Sequence, residues 1–186
     1  MKIPIEVSGR HVHISQSDLN KLFGEDYKLH KLEDLSQPGE FTCEEKIKIE
    51  TALGNLEIRI IGPIREETQV EISQSDAEKL GINPPRKMSG DLANSAGIKL
   101  IGSEGEVNAQ QGVILAQRHI HLDLKSAEKL NLKDGQKVSV KIADHIFDNT
   151  VIRISSNFKS AMHIDTDEAI EARIKKGEEF FGEIVD

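Results

Sequence analysis

"EKIKIETALGNLEIRIIG", residues 45–62, alternates apolar and polar side chains on both sides of Gly54-Asn55. A period of two puts every second residue on one face of a strand, and the Gly-Asn pair marks a turn, so the stretch predicts a β-hairpin with one face toward a core. "KVSVKIADHIFDNTVIRI", residues 137–154, has the same character around its own polar break. "LKDGQKVSV" (132–140) places Asp134-Gly135 just ahead of an alternating run, the arrangement of a tight turn feeding a barrel strand. Short strands with turns at close spacing favour small barrels over parallel α/β layers, so a mainly β fold is expected.

Working outward from the hairpins, one unit recurs three times: "RHVHISQSDLNKLFG" (10–24), "QVEISQSDAEKLGI" (69–82) and "RHIHLDLKSAEKLNL" (118–132). Each runs from an alternating segment into a short helical one. Ser15 and Ser73 are placed to cap the helices, with Asp18 and Asp76 completing an S-x-x-D pattern. Two loops rich in Pro, Gly and small polar residues lie between the periodic segments, "LSQPGEF" (35–41) and "NPPRKMSGDLANSAG" (83–97). The second is long enough to be a functional loop. The stretch 171–186, mostly charged, reads as a loose helical tail.

With 186 residues the chain suits one compact domain or two small ones. Aromatic residues make up 4% and Trp is absent, so aliphatic side chains must fill the core. The net charge of −8 opposes general nucleic-acid or membrane-surface binding, because both need a basic footprint. Any phosphate-bearing partner must find a local positive site. A single cysteine, Cys43, cannot form an internal disulfide and fits a reducing, cytoplasmic setting. No apolar run approaches the roughly 20 residues of a membrane helix, and "MKIPIEVSGR" has no signal-peptide core, so no targeting extension is expected.

Residues i and i+2 of a strand share a face, so His11 with His13, and His119 with His121, each form a two-pronged imidazole claw. One such pair on a strand is about as often a pair of satisfied or solvent-facing imidazoles as a half-site for metal. Duplication shifts the balance. His163 in "MHIDTDEA" and Glu71 at the end of the middle repeat bring the set to six groups, enough for two metal ions, since catalytic zinc takes three protein ligands of N or O type and keeps a position open. Glu71 alone reads as an exposed strand carboxylate, but aligning the repeats on "ISQSD" sets it where the first repeat has His13. His30 and His145, in polar connecting stretches, read as ordinary surface residues.

Arg10, Arg65 and Arg118 are candidates for an anionic substrate, because a planar guanidinium grips phosphate through two parallel hydrogen bonds. The bland alternative for Arg65 is a surface pair with Glu66 or Glu67. Arg10 and Arg118 precede the claws and, by alternation, fall on the opposite face. Two divalent cations with one carboxylate would leave a strongly positive pocket inside an acidic protein.

The ordered series "SGRHVHIS", "LSQPGEF", "GPIREETQVEIS", "SGDL", "ILAQRHIHL", "IFDN" and "MHIDTDEA" closely resembles the phosphotransacylases of the PduL type, also called phosphate propanoyltransferases, through nearly the whole chain. The resemblance implies two small β-barrels capped by short α-helices with a two-zinc site at their interface. One barrel would run over 10–116, the other over 117–170 completed by the N-terminal strand 1–9. It implies transfer of a short acyl group, acetyl or propanoyl, between phosphate and coenzyme A. His11, His13 and Glu71 would hold the first zinc, with the CoA sulfur as its remaining ligand; His119, His121 and His163 would hold the second. Arg65 matches a phosphate-contacting arginine and Ser89 of "SGDL" lies in a matching loop. The chain departs from the pattern at Ile170, where many relatives carry an Asn that helps hold CoA. It also lacks the N-terminal extension that directs some relatives to microcompartments.

Two other readings stand beside this one. A binuclear metal hydrolase would use the same ligands with a bridging hydroxide in place of the sulfur. A metal-stabilised binding module would use the claws only to join two barrels. The expected partners are small molecules, CoA or acyl-CoA and phosphate or acyl phosphate, with no nucleic acid and no membrane. A homodimer would suit an enzyme of this size.

Overall fold

The computed structural model describes residues 2–175 and 178–185. In chain order the strands are β1 (Lys2–Ser8), β2 (His11–His13), β3 (Lys31–Asp34), β4 (Phe41–Glu50), β5 (Asn55–Gly62), β6 (Gln69–Ile72), β7 (Arg86–Lys87), β8 (Ala96–Ile101), β9 (Glu106–Ala116), β10 (His119–Leu122), β11 (Lys137–Ile142), β12 (His145–Ile154), β13 (Ala161–Asp165) and β14 (Phe181–Val185). Four short helices follow β2, β6, β10 and β13: α1 (Gln16–Phe23), α2 (Gln74–Leu80), α3 (Leu124–Leu130) and α4 (Thr166–Glu171). The fold is mainly β, as the alternation predicts. Among the described residues no helix is long and apolar enough to cross a membrane.

The chain divides into two compact units, Arg10–Ala116 and Met1–Gly9 together with Gln117–Asp186. In the first, β4, β5, β2, β6 and β9 pair in that order and β8 joins β9 back to β4, closing a six-stranded barrel with β3 and β7 flanking it. In the second, β1, β13, β10, β12, β11 and β14 close a barrel of their own. Each has its own aliphatic core. Val12, Ile47, Ile49, Ile58, Ile60 and Val70 belong to one, and Ile3, Ile120, Val140, Ile152 and Met162 to the other.

The hairpin β4–β5 shows how the pattern becomes structure. Ile47, Ile49, Ile58 and Ile60 point into the core, while Lys46 reaches Glu57 at 2.6 Å on the outside. Its turn is one register earlier than the Gly-Asn pair suggests, because Asn55 already pairs with Glu50 and the loop is Thr51–Gly54. The Thr51 hydroxyl accepts from the Leu53 and Gly54 amides and donates to the Leu80 carbonyl at 2.6 Å. Gly54 passes so close to α2 that a Cβ there would lie 2.6 Å from the Lys79 carbonyl oxygen.

The helices start where the repeats place them. Ser15, Ser73, Asp123 and Asp165 each accept from the backbone N–H three residues on. The reciprocal half of the box differs: Asp18 accepts from the Thr68 hydroxyl and Asp76 from Arg10, and the reciprocal pair forms in α4, where Glu168 reaches back to the Asp165 amide. The strand–helix unit therefore occurs four times, twice per barrel. "AMHIDTDEAIEA" (161–172) is the fourth copy, with His163 standing where Glu71 stands, Asp165 where Ser73 stands and Glu168 where Asp76 stands.

The tail expected as a loose helix is a strand where it is described. Glu171 ends α4, and Phe181–Val185 forms β14, held by both β1 and β11. Residues 176, 177 and 186 of that stretch lie outside the described residues.

Candidate functional site

Strand alternation settles which way the claws face. Val12 and Ile120 are fully buried in the two cores, so His11 and His13, and His119 and His121, project from the opposite face of their strands. The antiparallel neighbour of each claw brings the third group. Glu71 pairs with His11 across β2–β6, and His163 pairs with His119 across β10–β13, so the two barrels place three ligand-type side chains in one register.

In the unit of residues 10–116 the three groups converge. The ligand atoms of His11, His13 and Glu71 all lie within 4.8 Å of one another, and His11 Nε2 is 3.6 Å from Glu71 Oε2. All three residues are buried. The His13 imidazole is pushed down to about 2 by burial first, then by His11 and Arg65, against a hydrogen bond to the Ile61 backbone. It is therefore neutral at physiological pH, the form that keeps a lone pair for a metal. Among the described residues, His13 Nδ1 is buried with no hydrogen-bond partner.

Gln69, fully buried beside Glu71 on the same face of β6, braces this set. Its amide nitrogen donates to Glu71 Oε1 at 2.5 Å and to Ser89 Oγ at 2.8 Å, and its carbonyl oxygen accepts from the Gly90 amide at 2.8 Å. Arg65 completes the cluster. Its guanidinium donates to Ser89 Oγ and to Glu40 Oε1, both at 3.2 Å, and its backbone amide donates to the Ile14 carbonyl. The partner of Arg65 is thus Glu40, not Glu66 or Glu67. Both Pro/Gly-rich loops meet at this arginine, the first through Glu40 and the second through Ser89.

The second set is looser. The rings of His119, His121 and His163 have centroids 4.6 to 5.1 Å apart, with His119 and His163 stacked nearly parallel. Phe158 stacks on His121 at 4.0 Å and Arg153 lies over Phe158 at 5.5 Å. Burial, then His119, His163 and Arg153, lower the His121 imidazole to about 2. Among the described residues, neither ring nitrogen of His121 has a hydrogen-bond partner. A buried imidazole with two idle nitrogens is costly unless something else binds it, so this residue too fits a metal.

The other candidates have different duties. Arg10 grips Asp76 of α2 with two bonds of 2.8 and 3.0 Å, and Arg118 donates to Glu168 of α4 at 2.6 Å. Each ties the start of its claw to a carboxylate in the first turn of a helix. His30 donates through its backbone and its ring to the buried Glu45, which also accepts from Tyr27. His145 lies 3.4 Å from Glu171. Neither joins a claw. Cys43 is fully buried, its thiol pushed up to about 11 by burial and then by Glu45. Gln69 was legible in principle, since it stands two residues before Glu71 and shares its face. Phe158, in the segment after β12, carries no such sequence signal.

A family model described as phosphate propanoyltransferase matches residues 4–175. Among curated relatives, the phosphate propanoyltransferase of Clostridioides difficile is 47% identical over 179 residues, covering 94% of this chain and 86% of its own. That of Thermotoga maritima is 45% identical, covering 95% and 86%, and that of Listeria monocytogenes 44%, covering 94% and 84%. A likeness sustained over both barrels and through both claws makes this chain an acyltransferase of the phosphate propanoyltransferase family.

Proposed function

We propose that the protein transfers a short acyl group, acetyl or propanoyl, between phosphate and coenzyme A, using two divalent cations, zinc first among them. His11, His13 and Glu71 hold one; His119, His121 and His163 hold the other. The observation that carries this reading is the convergence of His11, His13 and Glu71, with a neutral imidazole at its centre. When bound, such cations supply Lewis acidity, which lowers the pKa of a coordinated thiol and draws charge from a carbonyl or phosphoryl oxygen.

The chain's own residues do the rest. His13 and His121, lowered to about 2 by burial, stay uncharged, so their lone pairs remain available near neutral pH, while Glu71 offsets one positive charge. Gln69 fixes the Glu71 carboxylate and, through Ser89 and Gly90, the loop beside Arg65. The Arg65 fork suits two oxygens of one phosphate and would exchange Glu40 and Ser89 for them on binding. In the acyl-phosphate direction, the CoA sulfur attacks the acyl carbon, the carbon–oxygen bond to phosphate breaks and its electrons leave with the phosphate. The thiol proton goes to solvent, and Arg65 stabilises the departing anion. No acyl-enzyme is required, which fits a Cys43 thiol that burial keeps protonated. On the same reading the protein is cytoplasmic, acts on small molecules rather than nucleic acid, and forms a homodimer.

Incubation of acetyl phosphate or propanoyl phosphate with zinc-loaded protein, with and without CoA, tests this. Acyl-CoA should form and phosphate release should require CoA. Phosphate release without CoA would mean a hydrolase instead, and bound metal with no turnover would mean a binding module.

A further inference from the structure

We propose that Arg153 binds a phosphoryl group of a substrate beside the set formed by His119, His121 and His163, an inference that rests on the acyl-transfer reading above. Strand β12 pairs in parallel with β10, and Arg153 is the registered neighbour of His121. One residue back, Ile120 and Ile152 pair inside the core, so His121 and Arg153 share the opposite face of the sheet. Phe158 contacts both: its ring stacks on His121 at 4.0 Å, and the Arg153 guanidinium lies over it at 5.5 Å. Contact with a ring face orients the plane of the guanidinium, and with it the fork of N–H donors that matches two phosphate oxygens.

The internal repeat supports the assignment. His13 and His121 are equivalent in the units "RHVHI" and "RHIHL", and each has an arginine among the groups that lower it, Arg65 for His13 and Arg153 for His121. Arg65 comes from the loop after β5, where its amide donates to the Ile14 carbonyl. The matching bond in the other barrel runs from the Ser155 amide to the Leu122 carbonyl, so a serine stands where Arg65 does. The arginine there lies two residues earlier, on the strand itself. Continuing the Val12–Ile60 pair by one step brings Ile61 beside His13, whereas the neighbour of His121 is Arg153. The two barrels therefore bring a guanidinium to the second claw histidine from different positions.

A fixed positive charge on this face repels any cation held by the three histidines, and the repulsion is relieved when an anion answers both charges. The anionic groups among the proposed substrates are phosphates: inorganic phosphate, the phosphate of the acyl phosphate and the phosphates of CoA. A phosphoryl group carries several oxygens and can meet both charges at once. A residue that only holds Phe158 on His121 would need no charge.

The test uses zinc-loaded full-length wild type, Arg153→Met and Arg153→Lys. Calorimetry measures binding of inorganic phosphate and of CoA, and steady-state kinetics give KM for each. Methionine keeps a flexible apolar arm over Phe158 without charge; lysine keeps the charge without the fork. In Arg153→Met, affinity for a phosphate-bearing substrate should fall about 10–100-fold, the worth of hydrogen bonds to a charged group, with a smaller loss in Arg153→Lys. Zinc content and the denaturant midpoint should match wild type. Loss for inorganic phosphate with CoA unchanged assigns Arg153 to the phosphate that exchanges with CoA, and loss for CoA alone assigns it to a phosphate of CoA. Unchanged affinity for both substrates would overturn the proposal. So would weaker binding that follows from loss of zinc, the mark of a residue that merely supports the ring. Wild-type protein that loads zinc but forms no acyl-CoA would instead bring down the acyl-transfer reading, and the calorimetry would still decide whether Arg153 binds phosphate.

Discussion

Gln69 and Ala161 occupy the same place in the two barrels. Each stands across an antiparallel pair from the second histidine of a claw, Gln69 opposite His13 and Ala161 opposite His121. One is a buried amide with three hydrogen bonds; the other is a methyl group. The first set is consequently locked by directional bonds that also seat the loop carrying Ser89. The second rests on stacking of Phe158 on His121 and on a 2.9 Å hydrogen bond between His119 Nδ1 and the Gln117 carbonyl. The same strand register thus carries an amide-braced group of side chains in one barrel and one backed by an aromatic ring in the other.

The severest challenge to this contrast is to delete one claw residue from each barrel. His13→Ala and His121→Ala should each lower kcat on the order of 10³-fold or more, because several kcal/mol of charge stabilisation is lost in either case. A His121→Ala enzyme within tenfold of wild type would show that only the amide-braced set takes part in chemistry. Next in size is Arg65→Lys, which keeps the charge but loses the fork. Steady-state kinetics should show kcat/KM for phosphate falling about 10–100-fold, the worth of about 1.5–3 kcal/mol of charged hydrogen bonding.

Two bracing substitutions sharpen the comparison directly. Gln69→Leu leaves Glu71 and the Gly90 amide short of partners. It should weaken zinc in the first set about tenfold by chelator competition and cost about 1–3 kcal/mol of stability in denaturant melts. Phe158→Leu removes only the stacking term, about 0.5–1.5 kcal/mol, so the second set should lose zinc affinity no more than several-fold. Equal effects would erase the distinction between bonded and stacked support. Smallest of all, Cys43→Ser should leave turnover within a few fold while lowering stability through burial of a hydroxyl, about 1–3 kcal/mol. Complete loss of turnover would point to a thiol step.

Much of this was legible because the determining patterns are local. The hairpin at 45–62, the caps at Ser15 and Ser73 and both claws follow from periods of two and from side chains that bond their own backbone. The fourth repeat is hidden in the sequence because "AMHIDTDEAIEA" shares few residues with its siblings, and its cap is Asp165 rather than serine. Arg10 and Arg118 read as anion binders, yet their carboxylate partners lie 66 and 50 residues further along the chain, a relation that spacing does not reveal. The closing strand β14 was invisible for the same reason: "FGEIV" is too short to declare itself and acquires its pairing from β1 and β11.

Strand β1 has a consequence for how the protein is made. It is translated well before the strands it joins, β13 and β14, which begin at Ala161 and Phe181. At about 5–20 residues per second, translation from Ser8 to Ala161 takes roughly 8–30 seconds. Throughout that interval β1 is an unaccompanied edge, while the segment Arg10–Ala116 can already close its own barrel. Pro4, which lacks an amide hydrogen, and the charges of Lys2 and Glu6 make a nascent edge of this kind a poor template for other chains.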